Sequence, residues 1–392
     1  MRALLWFTAL ASGCSMGLGN YEVLTCATPS GAVSTQQVTS LGATPDLTLG
    51  TASGRGFLAA FVAPVQGGSC VQAVDPGGLV GGGCLFLARD LAAVPRQPMV
   101  ASLGPGEAGA LVRTTAPCTD GMLAVHYVAP GFDVAVDLAC HGAGAATGAA
   151  LPAIAALDAT RALVAWYDTP LATRDNPLSS CDGAAGAPLE IALVSPTSGA
   201  PFPPAVQLAS DGISVRPPAL VLDPPDGIFV VAPTADSVGI WQLDANLQVT
   251  ATATIDALAG ARAVAAAATT VNGTRTLAIA AEIGCAPQRI AVAVGDLTDG
   301  FATFDATDGA EAVTVQPSVA WIDARSEFLV SWIVGGAHPH VQARRFTPDA
   351  RPVHAAIDIP LPATAAAVTS DGDIIAFSAD NTFVDQSLGC DP

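Results

Sequence analysis

Residues 316–336, "QPSVAWIDARSEFLVSWIVGG", decide how the chain is read. Gln316 and Pro317 open a short apolar run, 318–322. A polar turn follows at 323–326, then a second apolar run, 327–334, carrying Trp332. Short apolar runs bounded by turn signals read as strands buried on both faces. The wording recurs along the chain. "TPDLTL" (44–49), "QPMVAS" (97–102), "LPAIAA" (151–156), "PPALVL" (217–222) and "LPATAA" (361–366) each set a proline against an apolar run. "GFLAAFV" (56–62), "GALVRTT" (109–115), "ALVAWYD" (162–168), "GIFVVAP" (227–233) and "DIIAFSA" (373–379) supply the second run. A further copy, "RAVAAAA" (262–268) then "TLAIAAE" (276–282), lacks the proline.

Counting that copy, the mean spacing is about 53 residues, with four strand signals per unit, which is the period of a β-propeller. One four-stranded sheet cannot bury both of its faces, so neighbouring blades must cover them. The expected fold is therefore all-β, a single propeller over 31–392. Seven blades are expected, with six or eight left open where copies are weak. Tandem β-sandwiches are the alternative, but they do not predict a proline at this period. Within the second copy, Gly-Pro-Gly, Pro-Cys-Thr-Asp-Gly and Pro-Gly separate runs at 99–103, 110–115, 122–128 and 133–139. The last copy holds only three runs. Its fourth strand is expected from "AVSTQQVTSL" (32–41), which would close the ring and leave no unpaired edge. Proline is expected at the first residue of a strand, where no ladder bond is lost.

The chain has 392 residues, 51% hydrophobic and 12% charged, with a formal net charge of −19. All fifteen basic residues are arginine. Such a chain can fill a large core, and disorder is not expected. The acidity argues against nucleic acid, which needs a basic patch, and against anionic membrane surfaces. Past the N-terminus no apolar run reaches the length of a membrane span.

The start, "MRALLWFTALASGCSMG", reads as an export signal over 1–13, followed by a tether over 14–30. Its "ASGC" ending resembles the lipobox of bacterial lipoproteins. That resemblance implies a lipid on Cys14, the only contact with a membrane, and Ser15 beside it resembles proteins sent to the outer membrane. Which side of that membrane the domain faces is left open. The lipobox prefers leucine where this chain has Ala11, so cleavage after Ala11 and plain secretion stand as the alternative.

Nine cysteines occur. Removing Cys14 leaves eight, an even number suited to disulfides in an oxidising compartment. The expected pairs are Cys70 with Cys84, Cys118 with Cys140, Cys26 with Cys390 at the chain ends, and Cys181 with Cys285. Wording of the form "P-x-V-A … F-L-V-x-W" is similar to that of surface repeat lipoproteins from GC-rich, myxobacteria-like bacteria. The likeness is loose, covers most of 40–390, and implies a fold and a location rather than a reaction.

Catalytic motifs do not survive inspection. "GPGEAG" (104–109) is followed by a strand rather than the helix a dinucleotide needs. "GCSMG" (13–17) lies at the export signal and lacks a strand-to-helix elbow. "HPH" (338–340) is read as an exposed loop rather than a metal site. "DLTDG" (296–300), "DATDGAE" (305–311) and "TSDGD" (369–373) are read as hairpin turns, because they lack the close alternation of ligands in calcium loops. No cofactor is expected, with calcium kept as the minority reading. Trp166, Trp241, Trp321 and Trp332 fall in strands and are read as packing. The irregular feature is "YDTPLATRDNPLSSCDGAAGAPLE" (167–190), a long connection on a rigid scaffold, where function tends to sit. It carries Asp168, Arg174, Asp175, Asn176 and Asp182 as candidate ligand contacts. The expected function is non-catalytic: a monomeric binding or scaffold module that recognises a protein or glycan through one ring face. A polysaccharide hydrolase or lyase is the alternative, and would need converging carboxylates at the channel mouth.

Overall fold

A computed structural model describes strands between residues 34 and 387. It describes side chains for most of 151–376, apart from 169–185, 196–204, 224–226, 308–315, 360–362 and single positions. The chain is all-β, built from antiparallel sheets of four strands that follow one another in sequence. Among the described residues there are seven such sheets, numbered here I to VII. Sheet I spans 47–88, II 95–139, III 147–212, IV 219–255, V 261–305 and VI 314–362. Sheet VII takes three strands from 365–387 and its fourth from Ser34–Gln37, which pairs antiparallel with Thr382–Ser387. In sheets I and III the outermost strand is split into two pieces, both paired to the third strand. The one helical turn among the described residues is Asp256–Leu258.

The opening stretch forms the first hairpin of sheet VI: Thr314–Ile322 pairs with Glu327–Val334. The continuous apolar wording follows from where each face goes. Leu329 and Ile333 pack with Val368, Ile374 and Ala376 of sheet VII. Phe328, Val330 and Trp332 pack with Ala278, Ala280 and Val292 of sheet V. The preceding sheets repeat this. Leu277, Ile279 and Ala281 meet Phe229 and Val231 of sheet IV. Ile228, Val230 and Ala232 meet Leu163, Ala165 and Tyr167 of sheet III. Successive side chains of a strand point to opposite faces. A strand covered on both sides therefore has no polar face to show.

The first strands also lie side by side in chain order: Leu47–Ala52, Pro95–Ser102, Thr147–Ala156, Ala219–Asp223, Ala261–Val271, Thr314–Ile322 and Ala365–Val368. The last of these also contacts Leu47–Ala52 of the first sheet.

The prolines sit differently from expectation. In sheets II, III and VI they lie inside the first strand, where the register slips between Arg96 and Met99, Ala150 and Ala153, and Val315 and Ser318. Each slip is a β-bulge whose extra residues leave the ladder, so a proline there removes no bond. In sheets III and VI the residue before it adopts a left-handed backbone, φ 51° at Leu151 and 58° at Gln316. In sheets I and IV the proline precedes the strand, at Pro45 and Pro218, and Pro362 ends the last strand of sheet VI, ahead of the first strand of sheet VII at Ala365.

Candidate functional site

Strands in each sheet alternate in direction. The start of a first strand, the end of its second and the second-to-third connection therefore share one end of the sheet, called here the leading end. At the leading end of sheets IV, V and VI a charged cluster forms. Thr274–Ile283 is buried over 276–283 and apolar over 277–283 apart from Glu282, which is 2% exposed. Register places Glu282 opposite Ala263, beside the bulge at 261–263.

Three groups hold its carboxylate. Gln288 Nε2 donates to Oε1 at 3.2 Å, from the connection that follows. Gln316 N–H donates to Oε2 at 3.3 Å; the bulge in sheet VI turns this N–H out of its own ladder and toward sheet V. The Arg262 guanidinium lies 3.8 Å from Oε1. Sheet IV joins through the segment before its first strand. The Arg262 carbonyl accepts from Val215 N–H at 2.7 Å and from the fully buried Ser214 hydroxyl at 3.2 Å. Arg216 adds a second positive charge near Glu282. Burial pushes the Glu282 carboxyl above the usual carboxylate range, opposed by the Gln316 N–H and the two arginines. Arg262 Nε is buried and makes no hydrogen bond. The cluster is one enclosed carboxyl against two guanidiniums, shared by three sheets.

Of the residues singled out in the long connection, Asp168 lies two residues before the end of the second strand of sheet III, Ala162–Pro170, opposite Ala149. Arg174, Asp175, Asn176 and Asp182 lie outside the described residues. So do Cys14, Cys26, Cys84, Cys140, Cys181 and Cys390, and the side chains of Cys70 and Cys118. Cys285, in the second-to-third connection of sheet V, is disulfide-bonded.

The "HPH" loop does not bring its imidazoles together. His338 is exposed, and His340 turns its ring toward Asp358, Nε2 to Oδ1 3.5 Å. Among the described residues no group of three His, Cys, Asp or Glu side chains could hold a metal ion. The acidic turns are occupied by their own backbone: Asp296 accepts from the N–H groups of Thr298 and Asp299, and Asp244 from those of Asn246 and Gln248. The tryptophans are packing residues in the main. Trp166 and Trp332 are buried, and Trp332 Nε1 donates to Gln342 at 3.0 Å. Trp321 and Trp241 are half-buried; Trp321 Nε1 reaches Asp323 at 2.6 Å.

Sequence reasoning gave no site role to any residue of the charged cluster: Arg262, Glu282 and Gln316 entered only as the ends of repeat runs, and Arg216 and Gln288 not at all. The one local signal is Glu282 itself, the carboxylate at the end of an otherwise apolar strand.

No protein-family model matches the chain, and no curated protein matches it in sequence. Among solved structures it is similar to the alpha-L-arabinofuranosidase of Fusarium graminearum in complex with arabinobiose: TM-score 0.47, 12% identity, covering 89% of this chain and 94% of that one. It is also similar to a mutant of the Aleuria aurantia lectin: TM-score 0.45, 11% identity, covering 84% of this chain and 99% of that one. A protein of unknown function from Dyadobacter fermentans matches at TM-score 0.47 and 11% identity, over 76% of this chain and 96% of its own. Each of these TM-scores is below 0.5, so function is argued from this chain's own residues.

Proposed function

We propose that this chain is an exported, lipid-anchored binding module whose seven sheets close into a propeller, and that it takes a protein or glycan partner on the leading face. The ring is supported by the pairing of Ser34–Gln37 with Thr382–Ser387 and by the contact of the last first-strand with that of sheet I. The observation that carries binding over catalysis is the state of Glu282. It is enclosed, hydrogen-bonded at both oxygens and faced by two arginines, which is the arrangement of a clamp between sheets. Calcium is not invoked at Asp244, Asp296 or Asp305, since each carboxylate already accepts hydrogen bonds within its own turn.

The partner surface in this reading lies at the leading end of sheet III, where Ala162–Pro170 ends and Ala187–Ser195 begins and between which the 171–186 connection runs in sequence. The decisive experiment is a glycan array and a partner pull-down with the exported chain, compared with a form in which 171–186 is shortened to a tight turn. Loss of the captured partner on shortening supports the reading. Undiminished capture moves the surface elsewhere, and no capture by either form removes the binding assignment. The anchor is tested separately: Cys14→Ser is expected to release the protein from membranes into the soluble fraction, and retention would overturn lipidation.

A further inference from the structure

At the other end of sheet VI a histidine is wired into a buried cation. Arg345, 6% exposed, is the last residue but one of the strand His340–Phe346 and lies opposite Leu329. Its Nη1 reaches Glu327 Oε2 at 3.1 Å. Its Nε donates to His354 Nε2 at 3.1 Å. A guanidinium has only donors, so that imidazole nitrogen must be an acceptor. The other nitrogen, Nδ1, then carries the proton and donates to the Ala355 carbonyl. The geometry thus fixes both tautomer and charge: His354 is neutral here. Neighbouring Arg344 ties the same residue down from its backbone, donating from Nε to the His354 carbonyl at 2.8 Å. Its Nη1 also lies 3.4 Å from the carbonyls of Asp305 and Ala306, where sheet V hands over to sheet VI.

We propose that the connection 347–356 is an acid-released latch: protonation of His354 breaks its bond to Arg345 and frees the connection from the sheet. A proton on Nε2 would set two donors and two positive charges against each other at hydrogen-bond distance. The surrounding charges give little relief. Among the described residues the groups facing this point are Arg345 and Arg344 from the third strand, Arg325 from the first hairpin turn, and Glu327 from the second strand. Asp349 and Arg351 stand on the connection itself and pair with each other at 3.0 Å. One carboxylate, Glu327, already engaged by Arg345, therefore faces three arginines. Burial, Arg345 and Arg344 hold the imidazole below its ordinary value of 6.5, against the pull of the Ala355 carbonyl; Arg325 acts on Arg345 itself. Arg345 Nη2, buried and without a hydrogen bond, leaves this corner without slack to absorb a further cation.

The sign follows from linkage. Because the latched state binds the proton less readily than the released one, closure is complete above the ordinary histidine range. It is lost as pH falls through that range and below. Once pH is below the ordinary histidine value and above the latched one, each further unit favours release about tenfold.

The test is hydrogen exchange of the full chain at pH 7.5 and pH 5.0, corrected for intrinsic rates, with the histidine nitrogens followed by NMR. Protection of 340–357 is expected to fall at least about tenfold at the lower pH, while the hairpin of Val238–Leu243 and Val249–Ile255 keeps its protection. His354→Gln supplies a neutral acceptor at the same place and is expected to hold 340–357 closed at both values. Uniform loss across both hairpins, equal loss in His354→Gln, or no loss in the native chain at a pH where NMR shows His354 charged would each overturn the latch. If His354→Gln does not fold, the native chain decides through the match between the NMR titration and the exchange profile.

Discussion

Glu282 shows how much a single ionisable side chain constrains. Replacing it by alanine strands Arg262 beside Arg216 in a place with almost no water, and breaking one partner of a buried pair costs about 3–5 kcal/mol. Glu282→Ala is expected to lower unfolding free energy by that amount in a urea titration. Glu282→Gln keeps the acceptor for the Gln316 N–H and should cost less. The pH dependence has a defined sign. The carboxyl is raised in the folded chain, so its contribution is fully present below the unfolded value, near 4.5, and is lost as pH rises through the folded value. Glu282→Gln is expected to remove that slope. It runs opposite to the loss at low pH expected from His354, so the two variants separate the two groups in one pair of profiles. In sequence His354 carries no signal, and Glu282 shows only as a carboxylate ending an apolar run, with no sign of its partners. Glu282 and Gln316 are 34 positions apart and in different sheets, and nothing local says that an amide displaced by one bulge will meet a carboxylate from another strand.

Elements were more legible than residues, and the reason is local. The order of strands and turns in the second copy was readable from glycine and proline placement; the observed strands Pro95–Ser102, Glu107–Thr115, Cys118–Ala129 and Phe132–Ala139 match that order, each extended by a residue or more at one or both ends. What turn chemistry could not convey was the bulge. Proline at the head of a strand and proline near the middle of a bulged one satisfy the same rule about missing N–H groups. Only pairing distinguishes them. Gln316 therefore carries an element-scale prediction: with φ at 58°, Gln316→Val should destabilise by about 1–2 kcal/mol, since a β-branched side chain is most hindered there. Gln316→Gly, which retains the N–H to Glu282, should be tolerated. Gly295 is a second such position. A Cβ there would lie 2.0 Å from the Gly300 carbonyl oxygen across the last hairpin of sheet V, so Gly295→Ala is expected to force the hairpin apart and lower the melting temperature.

For the whole molecule, stability depends on every sheet having a neighbour on each side. Trp332 is fully buried between sheets V and VI, and Trp332→Ala is expected to cost about 3–5 kcal/mol by chemical denaturation. Deleting Ser34–Gln37 would uncover the edge of Thr382–Ser387, and the expected outcome is a lower melting temperature together with self-association in size-exclusion chromatography. The disulfide at Cys285 is expected to act at this scale too. If its partner is Cys181, Cys181→Ser, Cys285→Ser and the double variant should lower stability by one and the same amount, about 2–4 kcal/mol, because either change alone removes the whole bond. Additive losses would assign a different partner.

The amino-acid order by itself determined the all-β character, the four-strand unit and its repetition, and the supply of a strand from near residue 34 to the last sheet. These follow from apolar runs, turn residues and period, which act over a few positions at a time. Tertiary structure alone decided which polar groups meet. Glu282 meets Gln316 because sheets V and VI stack and a bulge turns one N–H out of its ladder; Arg345 meets Glu327 across paired strands of sheet VI, and His354 where the following connection folds back. A hydrogen bond acts over about 3 Å, and no rule of local sequence carries that distance across three sheets.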